Sequence, residues 1–281
     1  MGVEHHENRK RGRTKMADYN FILVDHPASH VARVTLNRPE KRNAISTPLR
    51  VELLDALRAH DHDPEVRVTI VRGAGKCFSA GYDLGGGPMM DDAPFYSAPG
   101  DGQWARQCND TWFSIWDLAK PVIAQIHGYA IAGATELASA CDLVYIAEDA
   151  TISYPVVRVA SPPDWQYHTV LLGMRRAMEL MLTGDPITGT EAAQIGFANR
   201  AFPASELDEQ VLAIAGRVAG VPSDLQQINK RTIHRQMDVW GARAAIRAGS
   251  ELNGLAQYTE AARAFRENAL EAVKRTVAEQ R

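Results

Sequence analysis

The chain has 281 residues, 45% of them hydrophobic and 23% charged, with a formal net charge of -3. That suits one large domain or two small ones with a sizeable core, and it excludes a global basic field for nucleic acid. No apolar run approaches the roughly 18 residues that a membrane span needs, so no membrane partner is expected.

Three separated cysteines, Cys77, Cys108 and Cys141, form no CxxC pair and fit a reduced, cytoplasmic protein. The nine histidines show no ligand spacing, and no metal site is expected. Residues 1–17 are polar and basic without an apolar stretch, which predicts a disordered extension and not a secretory signal.

Tyr19 to Val24 and Val31 to Leu36 read as two strands joined by a turn around His26-Pro27-Ala28-Ser29. A polar loop, Asn37 to Ala44, leads to a helix that runs to about His60. Pro48 sits in its first turn, Ser46 or Thr47 caps it, and Leu49, Leu53, Leu54 and Leu57 share a face. Val66 to Val71 is a buried-looking strand, followed by Gly73-Ala74-Gly75-Lys76-Cys77-Phe78-Ser79-Ala80-Gly81-Tyr82-Asp83-Leu84. A glycine-rich turn after a strand can aim backbone N–H groups at an anion, but no GxxxxGK[ST] phosphate loop is present. Residues 85–103, rich in Gly, Pro and Asp, read as a long lid-like loop. Trp104 to Leu118 is an amphipathic helix whose aromatics belong to the core or to a ligand pocket.

The next stretch, Lys120 to Ala147, reads as strand, glycine turn, helix and strand. Ala132-Gly133-Ala134 opens the helix, and a lone acid, Glu136, sits in otherwise apolar and small surroundings. Small residues at a helix start permit close approach of another backbone or a ligand. The first-turn amides lack partners and face the positive end of the helix dipole. Gly133 N–H is therefore a candidate donor to a developing oxyanion, and Glu136, one turn on, a candidate acid/base. The same residues also suit a tight packing contact with a Glu that merely complements the dipole.

The run IAQIHG, YAI, AGA, TELA, SACDL resembles the signature of the crotonase (enoyl-CoA hydratase/isomerase) superfamily, and the likeness extends from about Tyr19 to the C-terminus. The resemblance implies a mixed α/β fold: a spiral core of repeated ββα turns over residues 18–203, then a helical region over 204–281. It implies a lyase-type enzyme in which two backbone amides hold a thioester enolate. The segment Phe78 to Leu84 matches the family's F–[SA]–A–G–x–D–[LI], so Tyr82 N–H maps to the first oxyanion donor and Gly133 N–H to the second. Coenzyme A contacts map to Lys41, Arg42 and Ala44 in the LNRP-like loop, and to Ala80, Asp83 and Leu84; Asp83 also reads as a structural carboxylate. No cofactor is implied beyond the coenzyme A of the substrate, and the assembly would be a homotrimer or homohexamer.

One departure stands out. Val156 occupies the position of the family's second Glu, and Ser161-Pro162-Pro163-Asp164-Trp165 replaces its glycine loop. Asp164 is the nearest acid, with Tyr167 and His168 as other nearby donors. Hydration with Glu136 alone would be weak. Isomerisation, thioester hydrolysis or decarboxylation on the same enolate, or acyl-CoA binding without catalysis, remain open alternatives. Downstream, Thr169 to Thr183 reads as a helix ended by Gly184, and Thr190-Glu191 as the cap of a short helix to Ile195. Gly196 to Pro203 returns as a strand. Four helices follow at Ser205–Val218, Ser223–Met237, Trp240–Leu252 and Leu255–Val277.

Overall fold

The structure is a computed structural model that describes residues 18–83 and 103–268. The expected extension at 1–17, Leu84, and the 85–103 loop up to Gln103 lie outside the described residues. In chain order the elements are β1 (Ile22–Ala28), β2 (Val31–Leu36), α1 (Thr47–His62), β3 (Val68–Gly73), α2 (Gln103–Trp116), β4 (Val122–Ile126), β5 (Tyr129–Ile131), α3 (Gly133–Ala140), β6 (Leu143–Ala147), β7 (Thr151–Ser153), α4 (His168–Thr183), β8 (Ile187–Thr188), α5 (Gly189–Gln194), β9 (Arg200–Phe202), α6 (Leu207–Ala219), α7 (Ser223–Val239) and α8 (Ala242–Ala256). A further helical stretch covers 260–268.

Six strands form one sheet in the order β1-β2-β3-β4-β6-β9, and β5-β7-β8 form a second, smaller sheet. Only β1–β2 is antiparallel in the large sheet; β2 to β9 run parallel, each step carried by a helical crossover or a return through the small sheet. The two sheets alternate along the chain from β4 onward, which is the spiral that the sequence predicts. Parallel strands buried on both faces need continuous apolar runs, and every residue of β4 (VIAQI) is buried, including Gln125.

Several boundaries differ from the sequence reading. The first strand runs through Pro27 to Ala28 with an irregularity after Asp25, and the tight turn is Ser29-His30, where His30 takes φ 61°. Proline is tolerated there because β1 is an edge strand. Thr188, not Thr190, caps α5, in a reciprocal capping box with Glu191. Gly173, at φ 74°, breaks α4 internally. The helix expected from Trp240 starts at Ala242, after Gly241 at φ 81°, and runs to Ala256; the final helix begins only at 260.

The signature's closing acid, Asp142, has a structural task. Its Oδ2 accepts from Val122 N–H and from Lys230 Nζ, both at 2.8 Å, joining β4 to α7 across the start of β6.

Candidate active site

Two backbone turns meet at the start of α3. The first is 79–83, held in place by main-chain pairing. Ile45 N–H donates to Gly81 O (2.8 Å) and Asp83 N–H to Ile45 O (3.1 Å). In such a parallel bridge the bonds fall on the residues flanking Tyr82, which leaves the Tyr82 amide itself unused. The second turn is Ile131-Ala132-Gly133. Ala132 adopts φ 49°, ψ -123°, and its N–H is spent on Ser153 O. Among the described residues, neither Tyr82 N–H nor Gly133 N–H has an acceptor.

The approach of the turns explains the glycines. A Cβ on Gly81, which sits at φ +91°, would lie 2.5 Å from Ile131 O and 3.1 Å from Gly133 N; one on Gly133 would lie 2.5–2.8 Å from the Tyr82 ring. Side chains are excluded at both positions by space, and at Gly81 by conformation as well.

The Tyr82 turn is anchored by the 38–46 loop. Asn43 is fully buried; its Nδ2 donates to Ala74 O, Cys77 O and Phe78 O, and its Oδ1 accepts from Arg38 N–H. Arg38 pairs with Asp83 at 2.9 Å and donates to Ala44 O, while Ala80 N–H bonds Arg42 O. The predicted residues Lys41, Arg42, Ala44, Ala80 and Asp83 are thus gathered into one loop cluster beside the Tyr82 amide, with Lys41 and Arg42 exposed. Asp83 is held in an ion pair with Arg38, and its N–H carries the bridge to Ile45.

Glu136 lies one turn into α3 and is fully buried. Tyr82 Oη donates to its Oε2 at 2.6 Å; Trp112 Nε1 donates to the Tyr82 hydroxyl at 2.9 Å and reaches the same carboxylate oxygen at 3.4 Å. Asp164 N–H donates to Oε1 at 3.1 Å, and the Trp165 backbone and the Tyr154 hydroxyl lie near enough to favour the ionised carboxylate. Burial dominates the electrostatics: it pushes Glu136 up to about 7, against the pull of hydrogen bonds led by Tyr82. Burial and then the Glu136 charge push Asp164 well above the usual carboxylate range, with Trp104 and Arg50 opposing. Glu136 is therefore placed to exchange a proton near neutral pH, beside an Asp164 whose burial favours its protonated form.

Of the three replacements weighed for the missing Glu, only Asp164 meets Glu136. Tyr167 hydrogen-bonds Thr135, and His168 stacks on Tyr167 at 3.9 Å, where burial lowers it to about 3 and keeps it neutral. Val156 is half-buried in a 3-10 turn, Pro155–Arg158, which Tyr154 precedes.

Sequence reasoning missed several residues around Glu136. The Tyr82 side chain, set aside in favour of its amide, lies across Gly133 and bonds the acid. Trp104 packs edge-on to Tyr82 at 5.0 Å, and Cys108 of α2 lies beside Tyr82. Arg50 of α1 is buried beside Cys108 and Trp104. One signal for Arg50 was available: with Leu53, Leu54 and Leu57 it completes an i, i+3, i+4, i+7 set, so it is a charge on the apolar stripe.

Comparison with known proteins decides the family. The enoyl-CoA hydratase/isomerase model matches residues 27–271. The chain belongs to the enoyl-CoA hydratase/isomerase family. EchA13 of Mycobacterium tuberculosis, assigned by inference as an enoyl-CoA hydratase, is 33% identical over 234 residues, 77% of this chain and 74% of that protein. A solved enoyl-CoA hydratase from Mycobacterium smegmatis superposes with a TM-score of 0.82 at 31% identity, covering 90% of both chains. A monofunctional enoyl-CoA isomerase from the same organism gives 0.64 at 32% identity, covering 78% of this chain and 94% of that one. Members of this enoyl-CoA hydratase/isomerase family with either reaction in their names therefore share this crotonase fold, and the fold does not choose between them.

Proposed function

We propose that the chain acts on an acyl-CoA thioester, holding its carbonyl oxygen between the Tyr82 and Gly133 amides while Glu136 moves a proton. The observation that carries this reading is the conjunction at the start of α3: two acceptor-free amides beside a buried acid whose pKa lies near 7. As the α-carbon gains or loses a proton, charge accumulates on the thioester oxygen. Preorganised donors aimed at that oxygen stabilise the transition state, and removing one typically costs about 100- to 1000-fold in rate. The thioester and the two amides carry the electrophilic load, so the reaction needs no metal or redox group. Lys41 and Arg42 suit the phosphates of coenzyme A, with Ala44, Ala80 and Leu84 along the pantetheine.

Hydration of a 2-enoyl-CoA ester is the leading reaction, with Asp164 replacing the carboxyl group that Val156 lacks. Its raised pKa and its place against Glu136 fit a proton donor. Double-bond migration is the second reading. It is favoured by Val156, which removes one of the two carboxylates that would hold a water, whereas a proton shift needs no water. Purified protein assayed with crotonyl-CoA and a 3-enoyl-CoA ester, beside Asp164→Asn and Val156→Glu, tests both. Hydration that Asp164→Asn abolishes supports the first; isomerisation without hydration supports the second. Turnover of neither ester removes both. Assembly as a homotrimer or homohexamer in the cytoplasm completes the proposal. Val239 and Trp240, 85% and 77% exposed, are apolar surface of the kind a partner subunit covers.

A further inference from the structure

Arg50 is fully buried between α1 and α2, yet it has no anionic partner among the described residues. A guanidinium is permanently charged. Its contacts are a thiol, Cys108 Sγ at 3.4 Å, an amide oxygen, Gln107 Oε1 at 3.4 Å, and a hydroxyl, Thr47 Oγ1 at 3.5 Å. The two contacts to oxygen are long, and burial keeps the thiol neutral. Among the described residues Arg50 Nε has no acceptor, and neither does Nε2 of the adjoining Gln107, itself buried. The remaining contact is the Trp104 ring, 4.8 Å from the guanidinium carbon. Burying a charge without pairing it is costly, and each unmet donor adds to that cost. The cluster is therefore short of an oxygen anion.

It also lies next to the proposed chemistry. Arg50 touches Cys108, Cys108 lies beside Tyr82 and helps to raise its pKa, and Tyr82 bonds Glu136. Trp104, the exposed member of the group, covers Arg50 and contacts Tyr82. For an acyl chain whose thioester sits on the two amides to reach the guanidinium, Trp104, which lies against both Tyr82 and Arg50, would turn aside. We propose that Arg50, helped by Gln107, binds a carboxylate at the far end of a short acyl group, so that the preferred substrates are CoA esters of dicarboxylic acids. Asp164 is near enough for Arg50 to favour its ionised form, but it makes neither a hydrogen bond nor a salt bridge to Arg50 among the described residues. An apolar acyl end would leave the cation and both donors unmet.

This inference rests on the acyl-CoA reading, and one experiment separates the two. Crotonyl-CoA and glutaconyl-CoA share a 2-enoyl thioester and differ by a carboxylate on the terminal carbon. The ratio of their kcat/KM values is measured for wild type, Arg50→Met and Arg50→Lys, with Tm for each ligand-free protein. Wild type should favour the carboxylate ester by about 100-fold or more, since a site built for a polar group discriminates strongly against its absence. Arg50→Met should bring the ratio to within a few-fold of unity without lowering Tm, because a methionine relieves an unpaired buried charge. Arg50→Lys should keep part of the preference, as it retains charge without the planar fork. A wild-type preference for crotonyl-CoA, or an Arg50→Met protein with lowered Tm and an unchanged ratio, makes Arg50 structural and overturns the inference. Failure of both esters to bind or turn over brings down the acyl-CoA reading instead, and the inference with it.

Discussion

The two walls around Glu136 are built in different ways. On one side, the Tyr82 and Gly133 amides come from short backbone turns, held by main-chain hydrogen bonds to Ile45 and Ser153 on neighbouring segments and by glycines that admit no side chain. On the other, Arg50, Trp104, Cys108, Trp112, Tyr154 and Asp164 converge as side chains from elements scattered over more than a hundred residues. Backbone amides are generic donors, indifferent to the acyl chain. Side chains carry charge, shape and apolar surface of their own and can read a substrate. The contrast teaches a division of construction: backbone turns place two free amides on one wall, and long-range side-chain packing buries the acid on the other and raises its pKa.

Glu136→Gln should break the chemistry most. The amide keeps the shape but cannot move the proton, so kcat should fall about 100- to 10,000-fold, with CoA-ester affinity from calorimetry within a few-fold of wild type. A variant at wild-type kcat would reduce Glu136 to a packing residue. Gly133→Ala probes the backbone wall. Its methyl would press on the Tyr82 ring and displace one donor, with an expected loss of about 100-fold or more in kcat/KM while far-ultraviolet circular dichroism stays native. Full activity would mean that the ring yields freely and that the turn tolerates a side chain.

The reach of the side-chain wall into stability can be measured by pH. Burial raises Glu136 from 4.5 to about 7, so between those values the unfolded chain ionises while the folded one stays protonated. Stability is therefore greatest below about pH 4.5 on this account and falls as pH rises to 7, by on the order of 3 kcal/mol. Asp164 acts in the same direction. Urea midpoints for wild type and Glu136→Gln across this window check it, and parallel curves for the two would refute it. Deprotonation over the same range should raise any activity that uses Glu136 as a base.

The smallest change expected is from Tyr82→Phe, which deletes one hydroxyl and leaves the amide in place. That hydroxyl's hydrogen bond lowers the pKa of Glu136, so the pH–rate profile should move upward by about one unit or less, with kcat reduced about tenfold or less. An unmoved profile would show that the 2.6 Å contact does not tune the acid.

Legibility in the sequence follows the same division. The strand–turn–helix around Gly133 could be read because glycines, small residues and β-branched runs speak for local backbone, and Glu136 stood out as the one acid among them. Pro48 and Ser46 announced α1 in the same way, with Ser46 Oγ accepting from Leu49 N–H. Thr188 was passed over because a Thr-Glu pair two residues later had the same composition, and only the geometry shows which threonine bonds the Glu191 amide. Asp142 was visible as part of a pattern, but its purpose depends on Lys230, 88 positions away. Asp164 could be named as the nearest acid, but its contact with Glu136 is made through its amide, which no side-chain pattern encodes. Trp112 was read as core or pocket; it is buried in the core and donates from its indole to Tyr82.

Asn43 carries a chemical hazard in its one side chain. Its amide nitrogen serves three carbonyl oxygens that fix the turn before Tyr82. Hydrolysis to aspartate, the slow spontaneous ageing of asparagine, would exchange that donor for a charged acceptor facing three other acceptors. Full burial shields the native amide from water, so damage would accumulate during unfolding excursions or in newly made chains. Molecules altered there would refold with the Tyr82 turn dislodged, and an aged preparation would lose catalytic competence before it lost its sheet.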